Sequence, residues 1–393
     1  MIVLRWLLNL LQVVFYSTNA ILLPYLPLLL QAHGFSSLET GTLLTMGPFL
    51  AMFAQPIAGM LSDRIKSTRP LLIVLWLFMG VSAYLLFMTE SRSIAAVSLV
   101  ALYIFYLPAV SLLDALTVKS ALQWKASYSS VRLWGSVGFM LTLVVLGQRF
   151  DAWGGVQSLI WMFSPIWISV FLIFLFLQEP KGDIISGPAE PALNLKMLRQ
   201  TLANPSIFIF FILIFLLAMP HRMNDTLLSL HMQHLGASAS QISWAWAVAG
   251  ASEIVGFYIM ARIVRKSRIV NMLTIVALLY AIRWVLYMFI TDPGAIVILQ
   301  ITHMFTYVAV WVLAIEYIAM SLPRQMVATG QALLSMVFLG LGGLAGGSLG
   351  GGLQEKFGEA SMYGMGVVCA TLAFIGFCVW NRRRSQKTES ARV

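Results

Sequence analysis

Long apolar runs recur along the whole sequence and restrict its fold more than any other feature. A helix needs roughly 20 apolar residues to cross about 30 Å of hydrocarbon, whereas barrel strands are shorter and alternate in polarity. The runs here have the length of helices, and with 60% hydrophobic and 10% charged residues they indicate an all-α integral membrane protein. The sequence predicts twelve transmembrane helices, near residues 4–30, 39–61, 70–89, 94–118, 130–148, 157–178, 206–230, 239–261, 269–290, 295–318, 326–350 and 361–380.

The net charge of +10 follows the membrane topology and does not indicate a nucleic-acid partner. With the amino terminus inside the cell, most of the 25 Lys and Arg residues fall on cytoplasmic connections. Only Arg92, Arg149 and Lys356 fall outside, while Arg222 and Arg283 lie within spans. The positive-inside rule therefore predicts a multi-pass protein of the cell inner membrane with both termini in the cytoplasm. The first span is too long for a secretory signal, so we expect it to stay in the mature chain.

One long polar connection divides the predicted spans into two sets of six. It covers residues 179–204, is rich in Pro and Gly, and is typical of an interdomain linker. We therefore expect an amino-terminal half over 1–178, a cytoplasmic linker over 179–204, a carboxy-terminal half over 205–380 and a cytoplasmic tail over 381–393. Two six-helix halves are typical of transporters built from repeats, with a substrate site near the middle of the membrane.

The second predicted span ends in "GMLSDRIKSTRP", residues 59–70, which puts Asp63 and Arg64 at the cytoplasmic mouth. An acid at this position can accept hydrogen bonds from a helix terminus or pair with a base. We expect Asp63 and Arg64 to act as a gate that breaks when the halves move. The alternative is that these charges only mark the membrane interface.

Small residues and prolines fall at defined places in the spans. Gly342, Gly346 and Gly350 recur every four residues in span eleven, which predicts close helix packing, with a bending hinge as the alternative. Prolines interrupt the predicted helices of the first half, and neighbouring elements must cover the carbonyls that they free. These prolines are Pro24, Pro27, Pro48, Pro56 and Pro108.

Ionisable side chains inside the spans are the strongest indication of function. Besides histidines, the set comprises four acids and three bases: Asp114, Arg132, Arg222, Asp225, Glu253, Arg283 and Glu316. Each costs roughly 2.5 to 3.5 kcal/mol at mid-bilayer, so that unpaired they would cost on the order of 20 kcal/mol. We therefore expect them to face a cavity or one another, with one carboxylate left to exchange a proton or to meet a cationic substrate.

Two of these charges are predicted to pair within the amino-terminal half. Asp114 and Arg132 lie on neighbouring spans joined by a short loop, so we expect them to come together. The stretch "RLWGSVGF", residues 132–139, adds small residues with Trp134 and Phe139, as a ligand wall with aromatic faces requires. The alternative for Arg132 is an ordinary positively charged flank.

The stretch "AMPHRMNDT", residues 218–226, ends an otherwise apolar run. On a helix, His221 and Arg222 lie four and three residues before Asp225, so that one face presents an acid with two donors. The acid can be masked there, or from span nine by Arg283. Two interpretations stay open. One is a charge cluster that reorganises during transport, with Arg222 in a gating role, and the other is a static buried salt bridge or external anchor.

Four stretches resemble one family: "QPIAGMLSDR" (55–64), the interval from Asp114 to Arg132, "RLWGSVGF", and "ILQITHMF" (298–305). They are similar to the lactose permease and phenylpropionate permease branch of the major facilitator superfamily, whose members are proton-coupled symporters with two six-helix halves. By position, the resemblance implies substrate binding by Asp114, Arg132 and Phe139, a bridge between substrate and proton sites at Glu253, and proton coupling by Asp225, Arg283 and His303.

The chain departs from lactose permease at positions that matter for both substrate and proton. Thr306 stands where that protein has its proton-carrying glutamate, Gln300 where it has a lysine, and Arg222 where it has a second acid of span seven. Leu107 and Gly256 replace asparagines that contact sugar. Galactoside transport is therefore not expected, and the proton carrier would be Glu253, Asp225 or His303.

These observations predict a proton-coupled secondary active transporter, a symporter that imports a small organic solute by alternating access. Trp134 and Phe139 near arginines favour an aromatic or other organic acid. The alternative is a proton antiporter that exports drugs or metabolites. Five scattered histidines give no nucleophile with its base and no metal motif, and Cys369 and Cys378 share one span, so we expect no enzyme activity, cofactor or metal site. The expected partners are the small-molecule substrate, protons and membrane lipid, with no nucleic acid, and the chain is expected to be a monomer.

Overall fold

The computed structural model describes residues 2–124, 127–177, 179, 203–264, 268–323 and 326–390, and within these ranges it contains helices and no β-strand. The first six helices are α1 (Ile2–Ala32), α2 (Ser37–Ile65), α3 (Arg69–Met88), α4 (Arg92–Gln123), α5 (Tyr128–Arg149) and α6 (Leu159–Phe176). The others are α7 (Pro205–His234), α8 (Ala239–Ile263), α9 (Ile269–Phe289), α10 (Pro293–Leu299), α11 (Ala309–Ser321), α12 (Val327–Ser335), α13 (Gly342–Phe357) and α14 (Glu359–Ser390).

Twelve segments are long and apolar enough to cross a membrane, which confirms the predicted number of spans. α10 and α11 belong to one such segment, Pro293–Ser321, and α12 and α13 form most of the next, Thr329–Phe357. Most of the observed helices extend a few residues beyond the predicted spans, whereas Leu159–Phe176 is shorter than its predicted span. The all-α membrane fold is therefore as the sequence predicts.

The chain divides into two compact units, Met1–Ala189 with Gly236–Ala247, and Glu190–Leu235 with Val248–Val393. In the first unit, α1 packs against α5 and α6, and α4 packs against α2 and α3. In the second, α7 packs against α13 and α14, and α9 packs against α14. Apart from residues 179, 203 and 204, the predicted linker lies outside the described residues, as does the end of the tail, so the domain boundaries stay predictions.

Local sequence signals set the helix ends. Ser36 and Glu39 form a reciprocal capping box at the start of α2, and Lys66 ends that helix in the left-handed conformation with a φ of 56°. Asn204 caps α7 ahead of Pro205, and the carboxylate of Asp292 accepts a hydrogen bond from the backbone at the start of α10. These signals pair donors that the first turn of a helix leaves free.

The helices of the second unit contain irregular turns. Span ten passes from α10 through a 3-10 turn at Gln300–Thr302 and a π turn at Met304–Val308 before α11 begins. A second π turn, Met336–Leu341, joins α12 to α13. In the first unit, α1, α2 and α4 instead run through their prolines as continuous helices, so the expectation that proline interrupts them is wrong.

The glycine repeat of span eleven packs against α7. A Cβ atom added to Gly346 would lie 2.2 Å from the backbone oxygen of Met219, and one added to Gly350 would lie 2.2 Å from Cγ of Met223. No side chain fits between α7 and α13 at these positions. The contacts confirm the packing interpretation of this repeat.

One carboxylate joins the ends of three helices in the second unit. The side chain of Glu359, at the start of α14, accepts hydrogen bonds from His231 Nδ1 at 3.2 Å and His234 Nδ1 at 2.6 Å, both near the end of α7. Gln354 Nε2 of α13 donates to the two oxygens of the same carboxylate at 2.9 and 2.8 Å. This end of the unit is therefore held by a carboxylate that accepts from three side chains.

Candidate functional site

Asp114 of α4 and Arg132 of α5 lie side by side in the first unit, as the sequence predicts. Arg132 Nε is 3.6 Å from Asp114 Oδ1, and the two side chains are 31% and 34% exposed. That separation is an ion pair without a direct hydrogen bond, since such bonds span about 2.7 to 3.2 Å. Both groups can therefore still accept or donate to another molecule.

Two tyrosines contact this pair, and neither could be recognised from the sequence. The hydroxyl of Tyr128 donates to Asp114 Oδ1 at 3.0 Å. The guanidinium of Arg132 lies over the ring of Tyr16, with Cζ 3.6 Å from the ring centroid. Tyr16 belongs to α1, more than a hundred residues away in sequence, and only the packing of α1 against α5 brings it here.

The two aromatic residues predicted for this site fall on different faces of α5. Phe139 follows Arg132 by seven residues, or about two helical turns, and shares its face. Trp134 follows by two residues, which turns it about 200° around the helix, and it is 38% exposed. Phe139 is therefore on the face of Arg132 but about 10 Å further along the helix, and Trp134 is on the opposite face.

The second unit contains a chain of contacts from Glu253 of α8 to Arg283 of α9. Glu253 Oε1 lies 3.0 Å from His303 Nε2, and Arg283 Nη1 lies 3.4 Å from His303 Nδ1. Arg283 also donates to Thr306 Oγ1 at 2.7 Å and to Gln300 Oε1 at 2.9 Å. Its side chain is only 1% exposed, and among the described residues no carboxylate lies within ion-pair distance of it.

These contacts suit one tautomer of His303. Its Nδ1 faces the guanidinium of Arg283, which only donates hydrogen bonds, and its Nε2 faces the carboxylate of Glu253, which accepts them. A hydrogen on Nε2 satisfies both neighbours. The side chain of Glu253 is 36% exposed.

Asp225 of α7 forms the local cluster that its spacing predicts. Its Oδ2 lies 2.9 Å from Arg222 Nη1 and 3.4 Å from His221 Nε2, and its side chain is 18% exposed. The pairing is thus supplied within α7, while Arg283 uses its donors on span ten. The structure brings Arg222 and Asp225 together without deciding between a mobile and a static cluster.

Stacked rings connect the Asp225 cluster with the Glu253 chain. The imidazole of His221 is parallel to the ring of Tyr307, with centroids 4.9 Å apart. The ring of His303 is 5.1 Å from both. Tyr307 carries no charge and occupies an apolar stretch, so the sequence did not reveal it.

The irregular part of span ten supplies most of these groups. Gln300, His303, Thr306 and Tyr307 all lie between Gln300 and Val308, where the chain leaves the α-helical register. π turns are frequent at functional sites, and non-helical backbone at membrane depth occurs where protein or a wet cavity covers it.

Asp63 and Arg64, the predicted gate, are both exposed, and neither forms an ion pair with another described residue. The contacts near them are made by Glu179, which accepts from Ser67 Oγ at 3.0 Å and from the backbone N–H of Arg69. The gating role of Asp63 and Arg64 stays a prediction, and Glu179 is an acid that the sequence did not indicate.

Twelve candidate spans and ionisable side chains buried within them define a multi-pass membrane protein with a polar interior. Residues 5–365 match the MFS_1 like family. The chain therefore belongs to this family of major facilitator superfamily transporters, and it is a transporter and not an enzyme.

Known proteins of similar sequence are transporters with different named substrates. The maltose permease of Geobacillus stearothermophilus is 25% identical over 371 residues, covering 92% of this chain and 90% of that protein. The probable 3-phenylpropionic acid transporter of Escherichia coli (strain K12) is 26% identical over 335 residues, covering 83% of this chain and 85% of that protein.

A solved structure supports the fold. The crystal structure of the nucleoside transporter NupG has a TM-score of 0.82 over 96% of this chain and 98% of its own. Its sequence is 15% identical, so the similarity supports the fold and not the substrate.

Proposed function

We propose that the protein is a proton-coupled symporter that takes up a small organic acid, with an aromatic monocarboxylate as the substrate class. It works by alternating access in the cell inner membrane, as a monomer with both termini in the cytoplasm. Arg132 and Asp114 bind the substrate, and Glu253 takes the proton. The observation that carries the proposal is the contact of the partly exposed Glu253 with His303, whose other ring nitrogen faces Arg283.

The charge balance of the second unit supports a proton on Glu253. Arg222 and Arg283 oppose Asp225 and Glu253, so this cluster is neutral when both acids are ionised. One proton on Glu253 leaves this cluster with one positive charge. Taken up together, a proton and a monoanion leave the net charge of the loaded carrier unchanged, whereas a proton with a neutral sugar would add one positive charge.

The first unit supports an acidic substrate as well. The guanidinium of Arg132 is partly exposed and is held flat by an aromatic ring, the form in which arginine binds carboxylates through two parallel hydrogen bonds. The face that Arg132 shares with Phe139 gives an apolar neighbour for an aromatic ring. The named substrate of the E. coli relative, 3-phenylpropionic acid, belongs to this class.

The test is uptake of radiolabelled 3-phenylpropionate into proteoliposomes, with an inwardly directed proton gradient and with none. We expect accumulation only with the gradient. Glu253→Gln, which mimics the protonated carboxylate, is expected to lose at least a hundredfold in gradient-driven uptake while exchanging labelled for unlabelled acid across the membrane. The matched control is Glu39→Gln, which alters an exposed acid at the end of α2.

Two results would contradict the proposal. Uptake that is indifferent to the proton gradient would remove proton coupling. An inward proton gradient that drives the acid out of preloaded vesicles would make the protein an antiporter, the alternative that the sequence leaves open.

A further inference from the structure

Asp114 has a closer donor than its arginine. Tyr128 donates to Asp114 Oδ1 at 3.0 Å, while Arg132 Nε is 3.6 Å from the same oxygen. We propose that Tyr128 is a positioning residue that occupies Asp114 and so keeps Arg132 available for the carboxylate of the substrate. The inference rests on the proposed function, and it adds a specificity-determining residue that the resemblance to known permeases does not supply.

Tyr128 and Arg132 compete as hydrogen-bond donors to the carboxylate of Asp114. A carboxylate and a guanidinium at contact usually form a bidentate pair with nitrogen–oxygen distances of about 2.7 to 2.9 Å. Such a pair would use the donors of Arg132 and cancel its charge. In this protein the guanidinium donates no hydrogen bond to a carboxylate of the described residues, and the phenol of Tyr128 holds the nearest carboxylate oxygen instead.

Tyr16 and Gly135 fix the other side of the guanidinium. The ring of Tyr16 is buried, and its centroid lies 3.6 Å from Arg132 Cζ, a cation–π contact that does not use the N–H groups of the guanidinium as hydrogen-bond donors. A Cβ at Gly135 would lie 2.6 Å from Cδ2 of Tyr16 and 2.7 Å from Nη1 of Arg132. Glycine at this position therefore gives the room in which the two groups stack.

Removal of the Tyr128 hydroxyl takes away the closest hydrogen-bond donor of Asp114. A shift of less than about 1 Å would then bring Oδ1 within hydrogen-bonding distance of Arg132. The resulting direct pair would close Arg132 to ligands. Asp114→Asn, added to Tyr128→Phe, removes the charge that attracts Arg132. It should therefore restore the accessibility of Arg132 to ligands.

The experiment measures the accessibility of Arg132 without any ligand. Purified full-length protein is treated with phenylglyoxal, which modifies free guanidinium groups, and labelling of Arg132 is followed by peptide mass spectrometry. We expect Tyr128→Phe to slow labelling about tenfold, and Tyr128→Phe with Asp114→Asn to label within about twofold of the native rate, where tenfold corresponds to about 1.4 kcal/mol. Tyr84→Phe, which changes a tyrosine of α3 that is 57% exposed, serves as the matched control.

The outcome for the positioning role is separate from the outcome for the proposed function. Equal labelling in Tyr128→Phe and the native protein, or slow labelling that persists in the double variant, overturns the inference. The affinity for 3-phenylpropionate is measured on the same variants and on Arg132→Ala. If Arg132→Ala keeps the native affinity, the substrate assignment is wrong whatever the labelling shows; if only Arg132→Ala weakens binding, the assignment stands and the role of Tyr128 is wrong.

Discussion

The two units treat their ionisable side chains in different ways. In the first, Asp114 and Arg132 are about one third exposed and stay 3.6 Å apart. In the second, Arg222 contacts Asp225 at 2.9 Å, and Arg283 is buried among hydrogen-bond partners that carry no formal charge. An open pair can exchange one partner for a ligand at small cost, whereas a buried network can change only by moving a proton or by reorganising as a whole. The comparison suggests that the first unit selects the solute and the second handles the proton.

The backbones differ in the same sense. Prolines mark the first unit, and its helices run through them. The second unit has π turns at Met304–Val308 and Met336–Leu341, beside its buried charges. The π turns therefore lie beside the buried charges of the second unit and not beside the Asp114 and Arg132 pair.

The largest expected effect compares the two aspartates. Asp225→Ala leaves Arg222 and His221 without their acid in a mostly buried place, so we expect the free energy of unfolding to fall by about 3 kcal/mol. Asp114→Ala breaks a partly solvated pair and should cost less than about 1 kcal/mol. Unfolding by SDS in mixed micelles measures both, and equal losses would break the comparison.

A smaller effect is expected at the end of the second unit. Glu359→Gln removes the charge that accepts from His231 and His234, so stability should fall by about 2 kcal/mol. Because Glu359 lies away from the proposed proton and substrate groups, uptake by the protein that stays folded should be unchanged. A loss of proton coupling in Glu359→Gln would extend the functional network to this end and would contradict its purely structural role.

The smallest effect concerns His303. The amide of His303→Gln can accept from Arg283 and donate to Glu253, so we expect gradient-driven uptake within about threefold of native. His303→Leu loses both contacts and should cost about tenfold, as expected for hydrogen bonds to charged groups. If both variants abolish proton coupling, His303 itself carries the proton, and the proposed proton site at Glu253 is wrong.

Helix number, the Asp225 cluster and the pairing of Asp114 with Arg132 could all be predicted from the sequence. Each depends on signals that are local or periodic: apolar run length, spacing of three and four residues on a helix, and adjacent spans joined by a short loop. The glycine repeat belongs to the same group, since small residues every four positions leave one helical face bare.

Tyr16, Tyr128 and Tyr307 could not be found in this way. None of the three carries a formal charge, and the role of each depends on which helices pack together. The π turn of span ten was equally hidden, because Met304–Val308 contains neither proline nor glycine. The gating role of Asp63 and Arg64 stays a prediction, and Glu179, which makes the contacts near them, lies more than a hundred residues further along the chain.

The seam between α7 and α13 has a mechanical consequence. Where Gly346 meets Met219, the two helices touch backbone to backbone, with no side chain whose rotamer could absorb a displacement. Arg222 and Asp225 follow Met219 on the same helix within two turns. A displacement of α7 near those charges is therefore expected to move α13 with it as a rigid pair. A change of charge at one carboxylate of α7 would then be coupled to the position of both helices.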